Sequence, residues 1–417
     1  MTRRVRGRWA AVLPLLLLGG CSFSRTDAPA GGTTSPLENV VPPPSPFRGE
    51  TRIELVQNSI RVPTRLPDID GDRMFVLDSG APMTIDPRLV EELALPTEAR
   101  TTLAGPDGHD APADVVVLPR VETAGLAFSD VGAVVDWVEP PDPVACLSRD
   151  GLLGASLLRA GVWQIDFHAR RLVVSSDPDE LPGTEYAMRL PFHRADAAGS
   201  PRIRADLGSS ADASVLIDLG FNGGIALPLR VYEAAGGRVD ARTPAEQGHA
   251  TATVLAAERS TLYVGRLPEV RIGALRLPDF PVVTGDHVSD LHVGVAFLRH
   301  FRVTIDWRND ELYLQRRDPE AALYDDYTSY GFTPDLQDGQ LRVGALWRDA
   351  AAARAGLRLD DRIVAIDETD TTTPSFATFC RLLGELSLYG SRRDAVAVTV
   401  ERGSTRSTGL ELVEPRP

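Results

Sequence analysis

The chain has 417 residues, enough for two or three domains, each burying a core of its own. Hydrophobic residues make up 43% and charged residues 24%, the balance of an ordinary globular protein, and 32 prolines with 36 glycines fall in short bursts that read as strands broken by turns. A net charge of −14, with no basic cluster after the first eight residues, argues against a nucleic-acid partner.

At the N-terminus, Arg3, Arg4, Arg6 and Arg8 precede an apolar stretch over residues 9–18 that is too short for a membrane-spanning helix. It ends in Leu18-Gly19-Gly20-Cys21, which resembles the bacterial lipobox, whose Cys becomes the lipidated first residue of the mature protein. An ordinary signal peptide is the bland alternative; the small pair directly before Cys21 favours lipidation. The expectation is a signal peptide over residues 1–20 and a lipid anchor on Cys21 that holds the protein to a membrane without spanning it. Ser22 after the Cys, by resemblance to the sorting pattern of Gram-negative lipoproteins, points to the outer membrane, facing the periplasm. Residues 21–50, with Gly31-Gly32 and Pro42-Pro43-Pro44, lack any apolar period and are expected to be a flexible tether. Cys146 and Cys380 fall in different predicted domains, so no disulfide is expected and two isolated thiols are the default.

From residue 51 the pattern is that of strands. Residues 59–66 alternate as a half-buried strand does, Asp70-Gly71 predicts a two-residue hairpin turn, and Met74-Phe75-Val76-Leu77 runs into Asp78-Ser79-Gly80. Asp68, Asp70 and Asp72 imitate a calcium loop, but Gly71 sits one residue early and no bidentate Glu follows at the right distance. Asp86 is placed to cap a short helix that has Pro87 in its first turn. Pro106-Asp107-Gly108 predicts an exposed hairpin tip, and further strands follow over residues 115–118 and 131–138. Gly151-Leu152-Leu153-Gly154 precedes a helical turn, and Ile165-Asp166-Phe167 leads into a turn and a last strand.

The chain then repeats itself. Asp218-Leu219-Gly220 closes an apolar run 140 residues after Asp78, and Gly154, Leu158 and Arg159 find Gly294, Leu298 and Arg299 at the same offset. Ile165-Asp166-Phe167 likewise matches Ile305-Asp306-Trp307, whereas Val121, Leu126 and Asp130 match Val270, Leu275 and Asp279 at 149. A period this long is a duplicated lobe rather than a solenoid. Each lobe offers one carboxylate on a strand-ending turn, and two lobes face to face would bring the carboxylates together.

Both lobes resemble the retropepsin-like aspartic proteases in a single-chain tandem form, over residues 52–316. The matching elements are Asp78-Ser79-Gly80-Ala81 with Leu152-Leu153-Gly154, and Asp218-Leu219-Gly220 with Val293-Gly294. The resemblance implies catalytic roles for Asp78 and Asp218, an active-site loop of Ser79, Gly80, Leu219 and Gly220, and a flap at the 101–117 hairpin. Leu219 departs from it: the family has Thr or Ser there, whose hydroxyl ties the two loops together. Two close carboxylates cannot both ionise comfortably, so they share a proton, one serving as base toward water and the other as acid. Which Asp takes which role stays open. Asp166 and Asp306 are also repeated, but are expected to bond to turn backbone or to Arg. No zinc spacing, serine-hydrolase elbow or phosphate loop occurs, so neither metal nor cofactor is expected.

After residue 325 the text changes. Tyr330-Gly331-Phe332, Ala355-Gly356-Leu357 and Asp361-Arg362-Ile363-Val364-Ala365-Ile366 resemble a bacterial PDZ domain, with a groove helix over residues 376–386. The resemblance implies that Tyr330, Gly331 and Phe332 receive the C-terminal carboxylate of an added peptide strand. The alternative is a degenerate module that only packs on the lobes. The expected fold is therefore mainly β: lobes over residues 51–180 and 181–318, then a PDZ-like domain over 325–417. The expected function is a lipid-anchored aspartic endopeptidase of envelope proteins. A weak or inactive peptide-binding lipoprotein is the alternative, and a lobe one that works only with another molecule's lobe one is a weaker third.

Overall fold

The computed structural model describes residues 22–26, 35–104, 110–136, 139–252, 257–324, 329–386, 395–402 and 405–413. It is mainly β, with short helices at strand ends and one longer helix, Phe376–Leu386. Cys21 and the hairpin tip Pro106-Asp107-Gly108 lie outside the described residues. No helix among the described residues is long and apolar enough to cross a membrane.

The first half is a nine-stranded sheet in which Arg73–Asp78 lies between Ser59–Arg65 and Gly151–Gly154. Its apolar run is buried on both faces, Phe75 and Leu77 in the main core and Val76 in a smaller cluster with Leu152, and Asp86 caps the helix Pro87–Glu92 by accepting from Arg88 N. The turn expected at Asp70-Gly71 is longer than two residues. Ser59–Arg65 and Arg73–Asp78 are joined by residues 66–72, because Leu66 and Ile69 fold back into the core. In the second half, Ser210–Ile217 has Pro201–Leu207 and His292–Val293 as its neighbours. Each half extends a long hairpin, Ala99–Ala104 with Asp110–Thr123 and Ala245–Ala252 with Ala257–Ile272.

A six-stranded sheet joins the halves. At its centre Val162–Asp166 runs antiparallel to Phe301–Asp306, with Gln164 opposite Thr304. Those two residues are 140 apart in the chain, and Gln164 Nε2 donates to Thr304 Oγ1 at 2.8 Å. Apolar residues from both halves fill one continuous core. Asp166 and Asp306 serve locally: Asp166 accepts from His168 N, Ala169 N and Arg302, and Asp306 from Arg308 N and Asn309.

Two expectations are corrected. Residues 35–50 are not a loose tether. Leu37 is fully buried against Ala113, Val115 and Val134, Val41 bridges Ser129, and Arg48–Arg52 is the edge strand of the six-stranded sheet. The apolar Leu37 and Phe47 were enough to seat a Pro-rich segment that has no period of its own. Ser22–Thr26 also pairs, along Ala99–Ala104. Nor are Cys146 and Cys380 separate thiols: they form a disulfide across a sequence separation of 234. Segments this far apart in the chain are packed together, which spacing along the chain could not reveal.

The C-terminal region continues the sheet of the second half. Glu246, Gln247 and Gly248 of the long hairpin pair with Trp347, Leu346 and Ala345 of Gln340–Trp347. Its core, from Phe332 through Phe379 to Val400, is separate from that of the halves. Ala395–Arg402 and Thr405–Val413 pair antiparallel, with Val396 opposite Leu412 and Val398 opposite Leu410.

Candidate active site

The strand Arg73–Asp78 runs parallel to Gly151–Gly154, with Asp78 opposite Gly154. The strand before Asp218 runs parallel to His292–Val293, with Ile217 opposite Val293. In each half the helical turn after the glycine closes onto the Asp-x-Gly loop. Ala155 N donates to Ala81 O at 2.6 Å, and Val295 N donates to Phe221 O at 2.8 Å. A Cβ on Gly154 or Gly294 would collide with the carbonyl of Pro82 or Phe221, which is why those repeated positions hold glycine.

These turns bring Asp78 and Asp218 together. Both side chains are buried, 1% and 0% exposed, and a hydrogen bond links the two carboxyls. Gly80 and Gly220 are needed for space rather than for an unusual backbone. A Cβ on Gly220 would run into the Asp78 carboxyl, and one on Gly80 would come within 2.9 Å of Asp218 Cγ. Burial, and after it the neighbouring Asp218, push the Asp78 carboxyl well above the usual carboxylate range. The backbone N–H groups of Gly80 and Ala81 donate to Asp78 and work against that shift. On the other side Gly220 N and Phe221 N donate to Asp218 Oδ1 at 2.9 and 3.0 Å.

Ser79 ties the loops from one side. Its Oγ donates to Ile217 O at 2.6 Å and accepts from Leu219 N at 3.0 Å. Leu219 has no hydroxyl to return the bond, and its side chain lies in the shared apolar core.

Several participants were not foreseen. His292 Nδ1 lies 2.8 Å from Asp218 Oδ2, with its ring edge-on to Phe221. His292 stands 140 residues after Leu152, a polar residue in an otherwise apolar match, and that contrast was the signal available in the sequence. The turn Gln57-Asn58, with φ of 49° and 63°, reaches across the halves. Asn58 Nδ2 donates to Asn222 O, Asn222 Nδ2 donates to Gln57 O, and Arg299 donates to Asn58 Oδ1. Arg159, the partner of Arg299 in the repeat, crosses the other way to Ala197 O.

The residues expected to take a peptide carboxylate lie apart from the Asp pair, at the start of Phe332–Gln337. Gly331 has φ +88°, its N–H donates to Ser329 Oγ, and Tyr330 and Phe332 are buried. The helix Phe376–Leu386 packs beside that strand, and the turn Pro143–Cys146 packs on the helix. Phe376 also reaches an apolar cluster that includes Ala81 of the Asp78 loop. No cluster of His, Cys, Asp or Glu suited to a metal ion occurs among the described residues.

No curated protein matches the chain. A protein-family model described as aspartyl protease matches residues 67–157, which take in the Asp78 loop and Gly151–Gly154 and stop short of Asp218. That stretch of this mainly β chain is therefore similar to the aspartyl proteases.

Proposed function

We propose that the protein is an aspartic endopeptidase in which one water is activated between Asp78 and Asp218. The observation that carries this reading is the pair of buried carboxyls, hydrogen-bonded to each other on two loops of the same form. A shared proton gives one base and one acid at the same spot, which is what amide hydrolysis by water requires. On this reading residues 51–180 and 181–318 are duplicated lobes, the long hairpins close over a peptide, and the C-terminal region is a PDZ-like domain that takes peptide C-termini at Tyr330, Gly331 and Phe332.

We further place the protein in the bacterial envelope, anchored by a lipid on Cys21 and facing envelope proteins as substrates. The disulfide supports this, since such bonds persist in oxidising compartments. Cys21→Ala is expected to move the protein from washed membranes to the soluble fraction; retention in the membranes would count against the anchor.

The test of the chemistry is single and double replacement. Asp78→Asn and Asp218→Asn should each lower the hydrolysis of labelled casein by about 10²–10⁴-fold. The double variant should lose little more, because the pair acts as a unit. Wild-type activity in Asp218→Asn would refute the shared pair. Leu219 favours a second reading, a peptide binder with little hydrolytic power, and full-length wild type without turnover of any casein bond would select it.

A further inference from the structure

The two carboxyls are nearly equivalent, and one contact breaks the tie. Asp78 receives the backbone N–H groups of Gly80 and Ala81; Asp218 receives those of Gly220 and Phe221. Behind Asp78, the residue opposite Val76 is Leu152. Behind Asp218, the residue opposite Leu216 is His292, at the same register, and its Nδ1 lies 2.8 Å from Asp218 Oδ2. A carboxyl that receives an extra donor holds negative charge more readily than its neighbour.

Resting on the peptidase reading, we propose that His292 is a positioning residue that fixes the roles of the pair: its Nδ1–H donates to Asp218 Oδ2, so Asp218 is the base and Asp78 carries the shared proton and is the acid. Water oxygen then bonds to the peptide carbon as Asp218 takes a water proton and Asp78 gives its own to the carbonyl oxygen. When the C–N bond breaks, the nitrogen leaves with the proton from Asp218 and a hydroxyl of the intermediate returns one to Asp78. Acid and amine are formed, and the pair is restored with the proton again on Asp78.

The surroundings of His292 suit a fixed donor. The ring is buried and edge-on to Phe221, and the residue opposite His292 across the sheet is the apolar Ala226. Asp290, two residues before it, interacts with it electrostatically and is gripped by both terminal nitrogens of Arg202 from Pro201–Leu207. Burial works to raise the Asp290 carboxyl, but the Arg202 hydrogen bonds and then the charge of His292 outweigh it and lower it. An Arg202–Asp290–His292–Asp218 line thus leads from a partly buried ion pair to the reacting carboxyls.

The test compares full-length wild type with His292→Leu, which copies lobe one, and His292→Gln, which keeps an N–H donor. The acid limb of kcat/KM against pH reports ionisation of the base. In His292→Leu that limb should move up by about one pH unit, an about tenfold loss on its slope, with KM little changed. His292→Gln should recover part of the shift. A His292→Leu profile that superposes on wild type overturns the proposal and leaves His292 a packing residue. A second measurement needs no turnover: in protein carrying ¹⁵N-histidine, the His292 Nδ1 resonance, assigned by its loss in His292→Leu, should shift in Asp218→Asn. An unmoved resonance overturns the proposal even if casein is cleaved. A shifted resonance in a wild type that cleaves nothing sustains the His292–Asp218 contact while the peptidase reading fails.

Discussion

Leu219 and His292 are where the two loops cease to be alike. Leu219 has no hydroxyl to bond to the opposite loop, whereas Ser79 reaches across to Ile217 O and Leu219 N. Leu219→Thr is expected to raise casein hydrolysis several-fold if rigidity limits the site. The gain would be offset by about 1–3 kcal/mol of stability should the new hydroxyl find no partner; initial rates together with a melting curve separate the two effects. At this scale the Asp-x-Gly turns at Asp78 and Asp218, and Leu219 within the second, could be picked out in the sequence, because the two stretches line up 140 residues apart. His292 escaped because its partner is 74 residues away, and only the parallel pairing of His292–Val293 with Ser210–Ile217 brings the ring to the carboxyl.

At the scale of elements, the turn Pro143–Cys146 links the first half to the C-terminal region. Asp142 caps it by accepting from Val144 N at 2.8 Å. Burial, and more weakly Asp335, push this carboxyl up from 3.8 to about 6. The folded protein therefore binds more protons here than the unfolded chain across that window, and stability falls as pH rises through it. Asp142→Asn keeps an acceptor for the cap and removes the titration. Above pH about 6 the variant is expected to be more stable than wild type by up to about 3 kcal/mol, and below pH about 4 to show no gain; urea melts at both pH values check this. The alternation of Ser59–Arg65 and the unbroken apolar run of Arg73–Asp78 were readable in advance, as was the helix capped by Asp86. The 66–72 connection and residues 35–50 were not. Isolated apolar residues such as Leu66, Ile69 and Leu37 decide them, and those carry no period.

For the whole molecule, the two halves share a core and a sheet, and the C-terminal region, with a core of its own, is joined to them by strand pairing and a disulfide. The core and the six-stranded sheet unite the two halves. Glu246, fully buried opposite Trp347, lies at the seam with the C-terminal region, and burial pushes its carboxyl well above the usual range. Cys380 lies on the helix Phe376–Leu386 and ties it to Pro143–Cys146. Cys380→Ser is expected to cost about 2–4 kcal/mol in a urea melt, the usual worth of a disulfide. If Tyr330, Gly331 and Phe332 take a peptide carboxylate, loosening this turn from the helix should also strengthen the binding of fluorescent peptides with a free C-terminus. Amidated peptides should stay unbound; equal binding of both would exclude carboxylate capture.

The disulfide also makes a ring. Residues 147–379, which include all of the second Asp loop and its long hairpin, lie inside a closed covalent loop between Cys146 and Cys380. A single backbone cut anywhere in that stretch, by the protein itself or by another enzyme, leaves both fragments joined. Such a nicked molecule runs as one band without reductant and as two with it. The thiols can close the ring only after residue 380 has been synthesised, so the fraction that stays whole after nicking also counts the chains that were completed and oxidised.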